Sequence, residues 1–187
     1  MVDELLTPRL RLRRWVRHDV VALAEVFAKP EVWEFPFGRG FTAKETEAFL
    51  AYRIAEQATG GWADWAVELR ETGRLIGYIG LSEPHFLPEV MPAVEIGWRL
   101  DPVAWGRGLA TEGARAALAH GFSSPELHEV VSIYQPENTA SGRVMTRLGM
   151  RFDRDTVHPT HALALRVYRL TRVEWEITRA DGNDASG

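Results

Sequence analysis

Leu10 and Leu12 stand between arginines from Arg9 to Trp15, a two-residue alternation that predicts a half-buried strand. From Asp19 the period changes. Val20, Leu23, Ala24 and Phe27 recur at helical spacing until Pro30 stops the run. Residues Trp33 to Phe41 mix aromatics with Pro36, Gly38 and Gly40, which predicts a loop. Thr42 with Glu45 three residues on is a capping box, and the helix it opens carries Ala48, Phe49, Tyr52 and Ile54 toward a core and runs to Gly60. Trp65, Val67 and Leu69 alternate with Ala66, Glu68 and Arg70. The turn Glu71-Thr72-Gly73-Arg74 then returns the chain as a second strand, Leu75 to Leu81.

The second half repeats this grammar with longer connections. Ala93 to Leu100 reads as a strand ended by Asp101-Pro102. Leu109 to Phe122 reads as a helix with Leu109, Gly113, Ala117 and Leu118 on or near one face. His128 to Tyr134 is an apolar strand, and Asn138 to Leu148 is a short helix closed by Gly149. His161 to Thr171 is the last clear strand, with a further strand expected through Val173 to Ile177. The strand–helix–strand passage from Ala93 through Glu129 predicts a crossover, so the sheet is mixed. Ala180 to Gly187 is small and polar and predicts a frayed end.

Composition narrows the classes. At 187 residues the chain is long enough for one domain to bury a sizeable core. There is no cysteine, so disulfides and thiolate chemistry are out. A net charge of −4 speaks against a general nucleic-acid binder. Lys29 and Lys44 are the only lysines, and this arginine bias reflects either phosphate recognition or a GC-rich genome. The acidic Asp3 and Glu4 do not suit a secretory leader, and no apolar run approaches the ~20 residues of a membrane span. A soluble, cytoplasmic protein with no membrane partner is expected. His158 and His161 flank Pro159 in a loop without the spacing of a metal site, so no metal is expected.

Chemistry concentrates in two segments. In AVEIGWRLDPVAWGRGLATEGARAAL, Ala93 to Leu118, a strand gives way to Trp105-Gly106-Arg107-Gly108-Leu109-Ala110 and then to a helix. A helix N-terminus offers unpaired N–H groups and a positive dipole end, and glycines let successive amides converge on an anion. This is a candidate pyrophosphate site. It is neither a P-loop, for want of GxxxxGK[ST], nor a dinucleotide fingerprint, since GxGxxG fails at Thr111. The second segment, IYQPENTASGRVMTRLGMRFD, Ile133 to Asp153, follows a strand with Asn138, Ser141, Val144, Leu148 and Gly149-Met150.

Both segments resemble the acetyl-CoA-binding motifs of the GNAT superfamily, in its RimJ/RimL-like branch of ribosomal-protein N-terminal acetyltransferases. LTPRLRLRRW at Leu6 to Trp15, GRLIGYIGL at Gly73 to Leu81 and EIGWRLDPVAWGRGLATEG at Glu95 to Gly113 are further marks, and the resemblance runs from about Leu6 to Trp175. It implies an α/β (α+β) GNAT domain over residues 1–179, with a flexible tail, 180–187. The implied architecture is a mixed sheet of six to seven strands flanked by about four helices and splayed at the cofactor. The implied activity is transfer of acetyl from acetyl-CoA to an amine, with a protein N-terminus favoured as acceptor and small-molecule amines or antibiotics as alternatives. A non-catalytic CoA sensor and an assembly module are the competing readings, and a homodimer is left open.

By the same resemblance, acetyl-CoA would lie against Trp98 and Leu100 of the strand, then Trp105, Gly106, Arg107, Gly108, Leu109, Ala110 and Thr111. Asn138 would hydrogen-bond the pantetheine arm, beside Ser141. Arg143 either reaches a phosphate or solvates the helix face. The family's loop pattern Q/R-x-x-G-x-G/A has Trp105 in its first position here, a tolerable departure because backbone amides do most of the phosphate work. Glu95 shares a strand face with Gly97 and is the first candidate base, with His85 second. The Gly97-Trp98 backbone is the candidate oxyanion donor. The position where many relatives carry a tyrosine acid is Met145, which leaves Ser141, and then Tyr134, as candidate proton donors to the leaving thiolate. Trp33, Phe35 and Phe37 are candidates for the acceptor groove.

Overall fold

In the computed structural model, which describes residues 2–184, the chain groups into two compact units. The first comprises residues 1–82 and 96–118; the second comprises residues 83–95 and 119–187.

The first unit is built on antiparallel hairpins. β1 (Glu4–Leu6) pairs with β2 (Leu10–Arg13), β2 with β3 (Asp64–Leu69), and β3 with β4 (Leu75–Ser82). β5 (Glu95–Leu100), which belongs to this unit from Ile96 onward, follows β4 in the strand order. The predicted alternation is realised: Leu10 and Leu12 are fully buried while Arg11 is exposed. β4 is buried on both faces over most of its length, which is why its sequence reads as a near-continuous apolar run. Helix α1 (Asp19–Phe27) buries Leu23, Val26 and Phe27, and a 3-10 turn at Pro30–Trp33 leads into the short helix α2 (Glu34–Phe37).

Helix α3 (Ala43–Ala58) begins at the predicted capping box: the Thr42 hydroxyl accepts from the Glu45 amide and the Glu45 carboxylate accepts from the Thr42 amide. Its buried residues are Thr46, Leu50 and Gln57, with Phe49 and Ile54 packed against the core. Tyr52, expected inside, is exposed. The core of this unit is aromatic, with Phe27 edge-on to Trp33 and Phe49, and Trp33 stacked on Phe41 at 3.7 Å. Helix α4 (Leu109–Gly121) lays Leu109, Ala114, Ala117 and Leu118 inward. At Gly113 the helix lies close to the sheet: a Cβ there would stand 2.4 Å from the Ile79 side-chain end, which would have to shift to admit it.

In the second unit, β6 (Glu129–Tyr134) pairs antiparallel with β8 (Ala164–Thr171), and β8 with β7 (Arg151–Val157). Glu95 pairs with Val131 in parallel, so the strand pairing is mixed as predicted. Leu87, Val131, Leu165 and Val167 form a local core. Helix α5 (Thr139–Arg147) is followed by Gly149 in the left-handed region at φ 83°, where a Cβ would also meet the Thr178 hydroxyl at 2.9 Å.

The count differs from the expectation of six to seven strands and about four helices: there are eight strands and six α-helices among the described residues. Val173 to Ile177, expected as a strand, belongs to helix α6 (Arg172–Asp184). Val173 and Ile177 are 64% and 56% exposed while Trp175 between them is buried, so the apparent alternation belongs to a helix and not to a strand. Of the tail expected from Ala180, residues through Asp184 continue this helix and 185–187 lie outside the described residues. Among the described residues no helix is long and apolar enough to cross a membrane, and no group of three or more His, Cys, Asp or Glu could hold a metal ion.

Candidate acetyl-CoA site

In the first unit the candidate pyrophosphate loop is the passage from β5 to α4. Asp101 ends β5, and its carboxylate accepts from the Val103 amide, capping a 3-10 turn over Pro102–Ala104. This carboxylate is fully buried. It is held by the Lys29 ammonium at 2.7 Å from each oxygen and by Arg74 at 2.9 Å. Burial alone would raise its pKa; the Lys29 hydrogen bond, the Val103 amide and the Arg74 charge outweigh it and hold the group below the ordinary carboxylate value. The Trp105 indole N–H donates to the Leu100 carbonyl at 2.8 Å, which ties the exposed ring back to the strand end.

Gly106 and Gly108 then take φ of 70° and 76°, a conformation that other residues adopt only with strain. A Cβ on Gly106 would meet nothing within 4 Å, and one on Gly108 only the Arg9 guanidinium at 3.7 Å. The backbone from Arg107 to Ala110 is therefore approachable, and the first amides of α4 lack helical acceptors. The Thr111 hydroxyl, in the same first turn, is buried without a hydrogen-bond partner among the described residues. Open space over glycine, unpaired amides and an orphaned hydroxyl fit a phosphate-bearing ligand. On β5, Gly97 also opens a space: an added Cβ would meet nothing within 4 Å, beside the Trp98 backbone.

Arg99, which the sequence reading passed over, shares the alternation of Glu95 and Gly97. Its guanidinium lies 3.9 Å over the Trp33 ring and donates to the carbonyls of Val32 and Phe35. It fixes the segment that carries the three acceptor candidates. Trp33 is 5% exposed and packs in the core, Phe35 is half-buried, and Phe37 is 48% exposed.

In the second unit, Asn138 caps α5: its side-chain oxygen accepts from the Ser141 amide at 3.1 Å. The capping role and a cofactor role do not compete, because the amide nitrogen of Asn138 is not used in the cap. Ser141 is half-buried, and it is its backbone amide that meets the Asn138 side chain. One residue on, a Cβ at Gly142 would stand 3.0 Å from the Tyr134 hydroxyl, so the two candidate proton donors sit on adjoining surfaces. Arg143 is exposed, donates weakly to Thr139 at 3.3 Å, and lines a cleft of about 400 Å³ with Tyr134, Gly142 and Tyr168. Met145 is 1% exposed and belongs to the core. Glu95 is half-buried and pairs with Val131 of β6. His85 is largely exposed and pairs with Glu83 at 3.2 Å.

Arg9, Glu112 and Thr7 also escaped the sequence reading. Thr7 and Arg9 lie in the LTPRLRLRRW segment and Glu112 in ATEG, and only their contacts reveal them. The Glu112 carboxylate accepts from the Thr7 hydroxyl at 2.6 Å, the Arg9 amide at 2.9 Å and the Arg9 side chain at 2.6 Å. The same Arg9 donates to the Arg107 carbonyl at 2.9 Å.

Comparison with known proteins bears on the family and the fold. The acetyltransferase (GNAT) domain family matches residues 9–151. The uncharacterized N-acetyltransferase YnaD of Bacillus subtilis (strain 168) is 32% identical over 79% of this chain and 82% of its own length. A crystal structure of an acetyltransferase from Agrobacterium tumefaciens superposes with a TM-score of 0.74 at 29% identity, covering 91% of this chain and 95% of that one. RimL, a ribosomal alpha-N-protein acetyltransferase solved in complex with coenzyme A, shares the fold at a TM-score of 0.74. Its identity is 16%, over 89% of this chain and 96% of its own.

Proposed function

The chain belongs to the GNAT acetyltransferase family, and on that premise we propose that it moves the acetyl group of acetyl-CoA to the N-terminal amine of a protein or peptide. The observation that carries the cofactor half of this reading is the open glycine cradle, Gly106 to Gly108, at the N-terminus of α4. The amides of Arg107 to Ala110 receive the pyrophosphate there, and the Thr111 hydroxyl adds a donor from the same turn. Asn138 and Ser141 serve the pantetheine arm, and the backbone of Trp98 and Leu100 borders it on β5. The likeness to RimL supports a peptide N-terminus as acceptor.

The bound cosubstrate supplies an activated acetyl thioester; the protein supplies position and protons. Glu95, directly or through a water, takes the proton that the attacking amine must lose. His85 is the alternative base. The Trp98 amide beside the open Gly97 meets the negative charge that builds on the carbonyl oxygen. Ser141 delivers a proton to the departing sulfur, with Tyr134 as the second candidate. Phe37, the most exposed of the three loop aromatics, contacts the acceptor, while Trp33 shapes the loop from the core.

The cradle is tested with Gly108→Val, which places a branched side chain where backbone meets phosphate. Calorimetry with coenzyme A is expected to show at least ~10-fold weaker binding, in a protein whose thermal unfolding remains cooperative. Unchanged affinity in the folded variant contradicts the assignment of the loop.

A further inference from the structure

Glu112 stands at the wrong end of its helix for an anion site. It lies in the first turn of α4, where the amide of Glu112 itself bonds to the Gly108 carbonyl. A carboxylate there suits the helix dipole when the helix end is empty. It opposes a pyrophosphate bound to the same amides, because both are negative and both draw on one positive end. Its side chain is only 15% exposed, so water screens it poorly. Although burial would raise its pKa, the Thr7 hydroxyl and the Arg9 amide and guanidinium keep it below the ordinary range, so it is charged at neutral pH.

The Arg9 guanidinium meets this charge directly. Its Nε and Nη2 both lie 2.6 Å from one Glu112 oxygen, and its Nη1 donates to the Arg107 carbonyl between the two cradle glycines. The carboxylate is thus one guanidinium away from the loop backbone. With the Arg107 carbonyl occupied from the Arg9 side, the peptide that joins Arg107 to Gly108 is held in one orientation, and its amide faces the opposite way. The guanidinium also stands 3.7 Å from the point where a Gly108 Cβ would be, so it borders the cradle without filling it.

We propose that Arg9 is a positioning residue for the pyrophosphate loop: it cancels the Glu112 charge at the α4 N-terminus and locks the Arg107–Gly108 peptide so that the loop amides are ready for an anion. The inference rests on the reading of Gly106 to Gly108 as the phosphate cradle. It explains why an arginine 46% exposed and a carboxylate in the first helical turn share so many short contacts.

The test is calorimetry with coenzyme A on the full chain, for the parent, Arg9→Met, Glu112→Gln and the pair combined. Arg9→Met exposes the anion to an uncancelled carboxylate and is expected to weaken binding about tenfold, the upper range for a charge at a helix end. Adding Glu112→Gln removes that carboxylate, and the double variant is expected to regain affinity to within about threefold of the parent. Glu112→Gln alone is expected to bind at least as tightly as the parent, and it keeps the proposal testable if Arg9→Met does not fold. A merely structural arginine predicts the reverse, since two losses of packing and hydrogen bonding compound. The proposal is overturned if Arg9→Met binds like the parent, if the double variant is no better than Arg9→Met, or if Glu112→Gln alone binds more weakly. Gly108→Val separates the two levels: unchanged binding in that variant removes the cradle itself, whereas lost binding there with parental binding in Arg9→Met removes only the role of Arg9.

Discussion

Ser141 and Glu95 are the residues on which the proposed chemistry turns, and each has a conservative variant that tests its role. Ser141 gives its backbone amide, not its hydroxyl, to the Asn138 cap, so Ser141→Ala keeps the start of α5. If the hydroxyl protonates the leaving sulfur, kcat falls by about 10²- to 10⁴-fold while the KM for acetyl-CoA barely moves. A loss of less than about threefold, far below that range, transfers the role to Tyr134 or to water. Glu95→Gln keeps shape and hydrogen bonding but not basicity. The rate is expected to drop at neutral pH and to recover in part at high pH, where more of the acceptor is free amine; an unaltered pH–rate profile makes Glu95 structural and turns attention to His85. At this scale the sequence was most informative where chemistry depends on backbone. Gly106 and Gly108 were readable because few residues other than glycine take their φ. The helix after β6 was readable by its closing Gly149, which takes φ 83°, whereas the Asn138 cap emerges only from the structure. Arg9, Arg99 and Glu112 were not readable, since their importance lies in contacts across dozens of residues that no local pattern encodes.

Among the elements, the passage from β5 into α4 depends on Asp101. It ends the strand, caps the turn, and draws in Lys29 from beyond α1 and Arg74 from the start of β4. Its pKa and that of Glu112 are both held below their ordinary values of 3.8 and 4.5. For such groups the unfolded chain binds more protons than the folded one as the solution is acidified. The stability they contribute is therefore complete above those ordinary values and is lost as pH falls through and below them. Asp101→Asn keeps the cap but strands two cations. It is expected to cost about 2 kcal/mol near neutral pH, below the full cost of breaking a buried pair because Lys29 and Arg74 are partly solvated. The variant should also lose stability less steeply than the parent on acidification, so the gap between them in urea titrations narrows from about pH 7 to about pH 3. An equal gap at both values contradicts the assignment. Elements with a strong apolar period or a cap were legible: β2 to β4, α1, α3 and α4 fall within a few residues of expectation. β1 has three residues, too few to carry a period, and β7 is exposed along both faces. α6 was misread because Val173, Trp175 and Ile177 mimic a strand. The signal that corrects it was present in Thr171 and Glu174, whose amide and side-chain bonds form a capping box.

For the molecule as a whole, the family assignment rests on a match over residues 9–151 and on the shared fold, while the acceptor is a question of chemistry that neither answers. Each unit has its own core, the first rich in aromatic side chains and the second aliphatic. The central claim is transfer of acetyl from acetyl-CoA to an N-terminal amine. The most direct measurement incubates the protein with acetyl-CoA and a panel of ribosomal-protein N-terminal peptides. The same peptides with blocked N-termini and a set of small-molecule amines run in parallel, and released thiol and acceptor mass are followed together. The account predicts that at least one free-N-terminus peptide gains a single acetyl group in step with thiol release, and that its blocked counterpart gains none. Acetylation confined to small amines contradicts the peptide acceptor, and thiol release that no amine accelerates contradicts the acetyl transfer itself.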